Sequence, residues 1–321
     1  MSTTTAIIQA AHAMPAVNKT PATLGPVGAL GDSLTDEYRF YPPDRSLARN
    51  WVEILHTVLN VNFGPYTTKS RGEPRDQGFA YNWARSDATS EDMIANQLPG
   101  LTAQVAEGEV RYASILIGGD DFLDLLGDAK EGLIPPAEIP ADLTQTTTKL
   151  ITNVETAVAT LLAANPNVKV AVWTQPDISQ TPLGRAAAAT SSEAAALLQA
   201  VSKATADFNS VVTSLASNNP RVALVDLASA SAAVAGSPTS TITVAGQTIS
   251  LTTTGDNYHD FYLADGLHIG TVAQGSLADL FIEAIDGKFR THFIPITAQK
   301  IIRYAQKVQV TTSHPKGPQM P

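Results

Sequence analysis

The sequence predicts an α/β protein: a three-layer α/β/α sandwich around a central parallel sheet of about five strands. From Val27 onward, short apolar runs alternate with longer segments of helical periodicity, which is the pattern of repeated βαβ units. The chain has 321 residues, 44% hydrophobic and 16% charged, so it can bury a large core. No apolar run reaches the roughly 18–20 residues that a membrane span requires. We therefore expect one folded domain over residues 27–296.

Five apolar runs have the length and composition of buried strands. They are Val27–Leu30, Val61–Phe63, Ala113–Ile117, Val168–Thr174 and Val222–Val225. The segments between and after them have helical periodicity, and two are rich in alanine, a strong helix former. These predicted helices are Leu47–Leu59, Glu91–Val105, Leu143–Ala164, Ala186–Ala216 and Thr271–Ile285.

Three segments lie outside this alternation. Residues 1–26 are rich in Thr, Ala and Pro and have no basic start, which predicts a loose N-terminal arm or the remnant of a processed signal peptide rather than an intact one. Thr239–Thr253 alternates Thr with Ile and Val around Ala245-Gly246, which predicts an inserted β-hairpin. Residues 297–321 contain no acidic residue and predict a basic C-terminal helix and tail, which either docks on the domain or mediates self-association.

The composition excludes several kinds of partner and site. Thirty acidic and 21 basic residues give a net charge of −9, which opposes binding to nucleic acid. Without cysteine there is no disulfide, no thiolate metal site and no catalytic thiol, and the compartment stays open. Gly25, Gly28 and Gly31 lack the dinucleotide-binding spacing, so we expect no nucleotide cofactor.

A candidate nucleophile follows the first predicted strand, in Gly31-Asp32-Ser33-Leu34-Thr35. In a parallel sheet, ligands bind beyond the carboxyl ends of the strands, so the hydroxyl and amide of Ser33 can reach one point there. An ordinary strand-to-loop turn would have the same sequence.

A candidate base and its orienting carboxylate lie in Asp265-Gly266-Leu267-His268, just before the last predicted helix. A serine nucleophile needs both groups within hydrogen-bond reach. Asp256-Asn257-Tyr258-His259 has the same spacing, and the residues alone leave both pairs open.

Two polar segments, Asn82–Thr89 and Ile117–Asp121, complete an ordered set of four motifs. With these motifs in this order, the sequence resembles the SGNH, or GDSL, hydrolase family of serine esterases and lipases. The resemblance covers about Val27 to Ile285 and implies a flavodoxin-like sandwich and ester hydrolysis without a cofactor. It further implies that Ser33 is the nucleophile, His268 the general base and Asp265 its orienting carboxylate.

The resemblance also assigns the oxyanion hole, with two departures from the family pattern. The donors would be the Ser33 amide, a backbone N–H at Asp87, where the family has Gly, and the side chain of Asp120, where it has Asn. Asp87 keeps its N–H, but an ionised Asp120 has no hydrogen to donate and would repel an oxyanion. Activity is therefore impaired unless burial and like charges keep Asp120 protonated.

The neighbouring acidic residues have further interpretations. We expect Asp121 to cap the helix that begins near Phe122, while Asp120 faces the site. A metal site built from Asp32, Asp120 and Asp121 has no ligand-spacing motif to support it, so we expect no metal.

The substrate is expected to be a small molecule, a carboxylic ester with a short acyl group or an acetylated carbohydrate, because no large apolar lid is evident. Asp32 and three aromatic residues next to the motifs, Tyr38, Trp83 and Tyr258, are expected to contact it. The alternative is a weak or inactive ligand-binding protein of the same fold, in which Asp87 and Asp120 have replaced the oxyanion hole.

Overall fold

Strands and helices alternate along the chain in the computed structural model, which describes residues 24–43, 45–70 and 77–313. The strands are β1 (Val27–Gly31), β2 (Tyr66–Thr67), β3 (Gly78–Phe79), β4 (Tyr112–Leu116), β5 (Lys169–Trp173), β6 (Val222–Val225), β7 (Thr241–Val244), β8 (Gln247–Thr254) and β9 (Asp260–Tyr262). The helices are α1 (Trp51–Leu59), α2 (Ser90–Asp92), α3 (Leu98–Ala106), α4 (Gly119–Glu131), α5 (Ile139–Ala164), α6 (Pro182–Ala188), α7 (Ser192–Asn218), α8 (Leu227–Ala235), α9 (Thr271–Phe289) and α10 (Ala298–Ser313). A π-helical turn, Met93–Gln97, joins α2 to α3.

The central sheet is parallel, with the strand order β1-β4-β5-β6. Its strands are buried nearly throughout, as expected for a parallel sheet that helices cover on both faces. The predicted α/β class is confirmed, with four strands rather than five. Because β1 and β4 are neighbours, the loops that follow Gly31 and Leu116 lie side by side at the carboxyl end of the sheet.

The strand predicted at Val61–Phe63 is wrong. Val61 and Phe63 are buried in the core, which accounts for the apolar run. The segment makes one backbone bond to β1, from the Val27 N–H to the Asn62 carbonyl at 2.8 Å, and no strand forms there. Burial without a ladder of backbone hydrogen bonds therefore produced a strand-like sequence.

Residues 81–85 occupy the remaining outer edge of β1. Three backbone hydrogen bonds join them to the strand: Ala29 N to Tyr81 O at 2.9 Å, Trp83 N to Ala29 O at 2.8 Å and Arg85 N to Gly31 O at 3.1 Å. This pairing directs the chain that follows toward the carboxyl end of β1.

The two faces of the sheet carry separate clusters of buried side chains. On one face, the rings of Trp51, Trp173 and Phe281 pack together with centroids 5.2–6.2 Å apart, joining α1, β5 and α9. On the other face, apolar residues of α3, α5 and α7 cover the sheet. This arrangement is the predicted three-layer sandwich.

The predicted hairpin forms from β7 and β8, with Ala245 and Gly246 in its turn at φ 47° and 81°. The strand β9 pairs with β8 in parallel. Four inward residues of the hairpin are buried in the cluster that contains α9: Ile242, Val244, Ile249 and Leu251. The insertion therefore contributes to the main core.

The helix α10 buries one face, including Ile301, Ile302 and Ala305, in the same cluster, while Arg303 is exposed. Most of the proposed N-terminal arm and the end of the basic tail lie outside the described residues. Within the described ranges, no helix is both long and apolar enough to cross a membrane.

Candidate active site

The loop that carries Ser33 is fixed by hydrogen bonds to both backbone polar groups of Gly31. The side-chain amide of Gln97 accepts a hydrogen bond from the Gly31 N–H and donates one to the Gly31 carbonyl, both at 2.9 Å. A Cβ atom at residue 31 would lie 2.5 Å from the Leu116 carbonyl oxygen, so only glycine fits. The Asp32 carboxylate accepts a bond from the Leu34 N–H at 3.0 Å, which fixes the turn around Ser33.

The structure brings Ser33, His268 and Asp265 into one hydrogen-bonded chain. His268 Nε2 lies 2.7 Å from Ser33 Oγ, and His268 Nδ1 lies 2.5 Å from Asp265 Oδ2. The other Asp265 oxygen accepts bonds from the Leu267 and His268 amides at 2.8 and 2.9 Å. Gly266 has a φ of 69°, the left-handed conformation that this tight turn requires.

The environment of Asp265 favours its ionised form. Burial acts to raise the pKa of this carboxyl, but the hydrogen bonds from His268 and the two amides outweigh burial and lower the pKa. An ionised Asp265 can accept the Nδ1–H of His268, which leaves Nε2 free to accept the serine proton.

The competing pair, Asp256 and His259, lies elsewhere. His259 Nδ1 lies 2.8 Å from the carbonyl oxygen of Thr248 on β8, and its ring packs against Tyr258. None of the contacts of His259 reaches the Ser33 loop, so the geometry distinguishes two pairs that the sequence left equal.

Asp87 lies on the loop that leaves the β1 edge, with a φ of 64°. Asp is one of the few residues that adopts this left-handed conformation at modest cost, and it retains its backbone N–H. The preceding residue, Ser86, donates its amide to the carboxylate of Asp36 at 2.9 Å, which anchors the loop near Ser33.

Asp120 is buried in the first turn of α4, with 9% of its surface exposed. Burial, followed by the charges of Asp32 and Asp87, raises its pKa to about 8. Burial likewise raises the pKa of Asp32 to about 7. At neutral pH, Asp120 is therefore mostly a neutral carboxylic acid, which can donate a hydrogen bond as a carboxylate cannot.

The expectation that Asp121 caps its own helix is wrong. The cap of α4 is Gly118, and no side-chain bond is made there. The Asp121 carboxylate instead accepts the Ser90 N–H at 2.9 Å and the Ser90 hydroxyl at 2.6 Å, and Asn153 donates to that hydroxyl at 3.0 Å. Asp121 thus ties α4 to α2 and α5.

Three of the side chains that were predicted to contact the substrate make hydrogen bonds to other residues of the protein. Tyr38 is fully buried, accepts a bond from Gln274 at 2.8 Å and places its ring edge-on to that of His268 at 6.0 Å. Trp83 packs on Gly100 and donates to Gln104 of α3, and Tyr258 bonds to Gln247 and Gln306 between β8 and α10. All three are packing residues, and Asp32, 2% exposed, lies beneath the Ser33 loop.

The sequence reasoning missed Arg45, a buried residue of the loop before α1. Its Nη1 atom lies 3.4 Å from the Ser33 carbonyl oxygen and 3.4 Å from His268 Nε2, while Nη2 donates to Ser86 Oγ at 2.7 Å. Nothing in the motif pattern distinguished this arginine, because it belongs to a loop without a recognisable spacing.

The reasoning also missed an apolar cleft with a cavity volume of about 120 Å³. It is lined by Leu34 and Leu267, the neighbours of Ser33 and His268, and by residues of α8, α9, α10 and β7. The cleft runs along α9, where two carboxylates, Asp279 and Glu283, border it. Among the residues that the structure describes, no group of three His, Asp or Glu side chains is arranged to hold a metal.

Several solved structures are similar to the chain at low sequence identity. The lipase Lip_vut3 from a goat rumen metagenome is 13% identical, with 81% of this chain and 97% of that chain covered and a TM-score of 0.48. Phospholipase A1 from Streptomyces albidoflavus NA297 is 16% identical, with 82% and 99% covered and a TM-score of 0.47. The family 3 carbohydrate esterase of Clostridium thermocellum is 12% identical, with 82% and 96% covered and a TM-score of 0.43. No curated protein matches the chain significantly.

The family assignment comes from the sequence as a whole. The family model of the GDSL-like lipases and acylhydrolases matches residues 27–281, which extend from β1 into α9 and include Ser33, Asp265 and His268. The chain therefore belongs to the GDSL-like lipase/acylhydrolase family.

Proposed function

We propose that this protein is a serine hydrolase that cleaves carboxylic esters through an acyl-enzyme on Ser33. The observation that carries the proposal is the chain of two hydrogen bonds, 2.7 and 2.5 Å long, from Ser33 Oγ through His268 to Asp265. A hydroxyl becomes a useful nucleophile when a base accepts its proton and a carboxylate orients that base.

In the first half of the reaction, Ser33 Oγ attacks the ester carbonyl carbon and its proton passes to His268 Nε2. The carbonyl electron pair moves onto oxygen, and the tetrahedral intermediate then expels the alcohol, which takes the proton from His268. In the second half, water attacks the acyl-Ser33 ester in the same manner, releasing the carboxylic acid and restoring the serine.

The oxyanion would be stabilised by the amides of Ser33 and Asp87 and by the neutral acid form of Asp120. A protonated carboxyl replaces the amide donor of the family, as apolar sites elsewhere keep a carboxylic acid neutral at pH 7. This donor is conditional, because each molecule that loses the Asp120 proton places a negative charge beside the developing oxyanion.

The apolar cleft supports a longer acyl group than the acetyl or short chains expected from the sequence. Its lining includes Leu34 and Leu267, the neighbours of the proposed nucleophile and base. Its wall on α9 extends from Val272 to Glu283, which is about 16 Å at 1.5 Å per residue. We therefore favour medium-chain acyl esters, whose chain would lie along α9.

The test uses chromophoric phenol esters of acetate, octanoate and hexadecanoate, measured in the pre-steady state. We expect a burst of phenol equal to the enzyme concentration, highest turnover on the octanoyl ester, and no burst from Ser33→Ala. Leu280→Trp should lower turnover on the octanoyl ester about tenfold or more by filling the cleft, and leave the acetyl ester nearly unchanged.

The alternative, a ligand-binding protein that has lost catalysis, is favoured by one observation, the acidic residue at position 120. Wild-type protein that is no faster than Ser33→Ala on every ester, with Asp120→Asn equally inert, would replace the hydrolase proposal with this alternative.

A further inference from the structure

Arg45 is a buried cation without an acidic partner. Only 6% of its surface is exposed, and none of the ion pairs among the described residues includes it. The faces of the Tyr41 and Tyr38 rings lie 4.0 and 5.6 Å from its guanidinium carbon and hold it in place. Burying an unpaired charge costs several kcal/mol, so a purely structural role is a poor explanation for this residue.

The guanidinium bridges the two loops that meet at the candidate nucleophile. One nitrogen lies 3.4 Å from both the Ser33 carbonyl oxygen and His268 Nε2. The other donates to the Ser86 hydroxyl at 2.7 Å, one residue before the backbone donor of Asp87. Arg45 therefore touches the base that receives the serine proton and lies against the loop that supplies an oxyanion donor.

We propose that Arg45 is a catalytic residue whose guanidinium stabilises the oxyanion, compensating for the amide donor that Asp120 has replaced. This inference rests on the proposed ester hydrolysis. The guanidinium group offers five N–H donors in a planar fork.

The same charge opposes the positive charge that forms on His268 during attack. The guanidinium lies 3.4 Å from His268 Nε2. A net stabilisation of the transition state therefore requires the substrate oxygen to lie closer to the guanidinium than this. An ordinary N–H···O hydrogen bond of about 2.9 Å satisfies this condition. The role is thus specific to the transition state and predicts an effect on kcat rather than on KM.

The experiment compares wild type with Arg45→Met and with Arg303→Met, an exposed arginine on α10 that controls for the loss of one charge. Each protein is assayed on the octanoyl ester and titrated with an alkyl boronic acid, which adds to the serine as a tetrahedral anion. For Arg45→Met we expect kcat to fall about 100-fold, KM to change less than threefold, and boronate affinity to fall by a factor similar to that of kcat. Added guanidinium should restore at least about tenfold of the turnover lost in Arg45→Ala, whose short side chain leaves room for the ion, and should not restore Ser33→Ala.

A rise in KM at unchanged kcat, or unchanged boronate affinity, would overturn the inference and leave ester hydrolysis standing.

If Arg45→Met does not fold, Arg45→Lys is measured by the same criteria, with at least a tenfold loss of boronate affinity expected because an ammonium cannot span the three acceptors. If wild type is inert on every ester, the proposed hydrolysis fails, and boronate binding still tests Arg45. In the Asp120→Asn background, Arg45→Met should lower kcat by a smaller factor, because the introduced side-chain amide then also donates a hydrogen bond to the oxyanion. An equally large loss of kcat in that background would contradict the proposal that Arg45 compensates for the missing amide.

Discussion

The two sides of Ser33 are built differently. On the base side, His268 and Asp265 belong to one turn of four residues, and every polar atom of that turn that the reaction needs has its partner. On the proposed oxyanion side, Asp87 and Arg45 lie on two loops and Asp120 lies in the first turn of α4, and the role proposed for each depends on burial and charge. One local turn therefore builds the base side once the fold has brought it to Ser33, whereas the proposed oxyanion side is assembled from separate segments.

The largest expected effect tests the base side as a unit. Ser33→Ala, His268→Ala and the double variant should each lower kcat by about 10⁴-fold or more, with the double variant no slower than either single one, because neither group works without the other. His259→Ala, from the competing pair, is the control and should retain full activity. An active His268→Ala together with an inert His259→Ala would reverse the assignment.

The next effect concerns stability on the oxyanion side. The pKa of Asp120 rises from 3.8 to about 8 on folding, so the folded chain holds a proton that the unfolded chain releases above about pH 4. The stability that this proton contributes is present at low pH and is lost as the pH rises toward 8. Asp120→Asn avoids the loss, so we expect it to be about 2–4 kcal/mol more stable than wild type at about pH 9 and nearly equal at about pH 4.

Urea unfolding at the two pH values measures this difference. Asp128→Asn, at an exposed carboxyl on the same helix, is the control for the loss of one acidic side chain. If Asp120→Asn changes the free energy of unfolding by the same amount at both pH values, Asp120 is ionised at both.

A smaller effect should appear in the pH dependence of turnover. As the pH rises through about 8, Asp120 loses its proton and becomes a repulsive charge, so wild-type kcat should fall. The Asp120→Asn variant keeps a neutral donor at all pH values, and we expect it to be about 10–100-fold faster than wild type at about pH 9.5. Parallel pH–rate profiles for the two proteins would show that residue 120 does not act on the oxyanion.

The smallest effect separates Asp121 from Asp120. Ser90→Ala removes the hydroxyl that bonds Asp121 and Asn153, which should cost about 1–3 kcal/mol of stability because two buried polar groups lose a partner. Turnover at neutral pH should stay within about threefold of wild type, since this network lies behind α4. Ser214→Ala, on the exposed face of α7, is the matched control; a large loss of kcat in Ser90→Ala alone would place the network in the site.

The errors of sequence-based prediction here have common physical causes. Ala186–Ala216 reads as one helix, but Thr190 and Ser191 interrupt it, and the Ser191 hydroxyl caps α7 by accepting the Ala194 N–H at 3.1 Å. High helix propensity on both sides concealed the cap.

Closeness in sequence to a motif did not predict which other residues lie in the candidate site. Tyr38 and Tyr258 are near the nucleophile and base motifs in sequence, yet one is buried behind His268 and the other packs against α10. The apolar cleft and Arg45 were invisible because each depends on elements that meet only in the folded chain. The Asp265–His268 pair was predictable as a candidate because its turn is encoded in four consecutive residues, and the fold then distinguishes it from Asp256–His259 by placing it at Ser33.

The outer edge of β1 has a consequence for solubility. Its three outward amides all have partners: Val27 with Asn62, Ala29 with Tyr81 and Gly31 with the side chain of Gln97. An open edge at this strand would offer a template on which a strand from another molecule could add, beginning the growth of aggregates. A single glutamine, whose amide imitates a peptide group, completes the protection at Gly31, where a continuous fifth strand would cover the approach to Ser33.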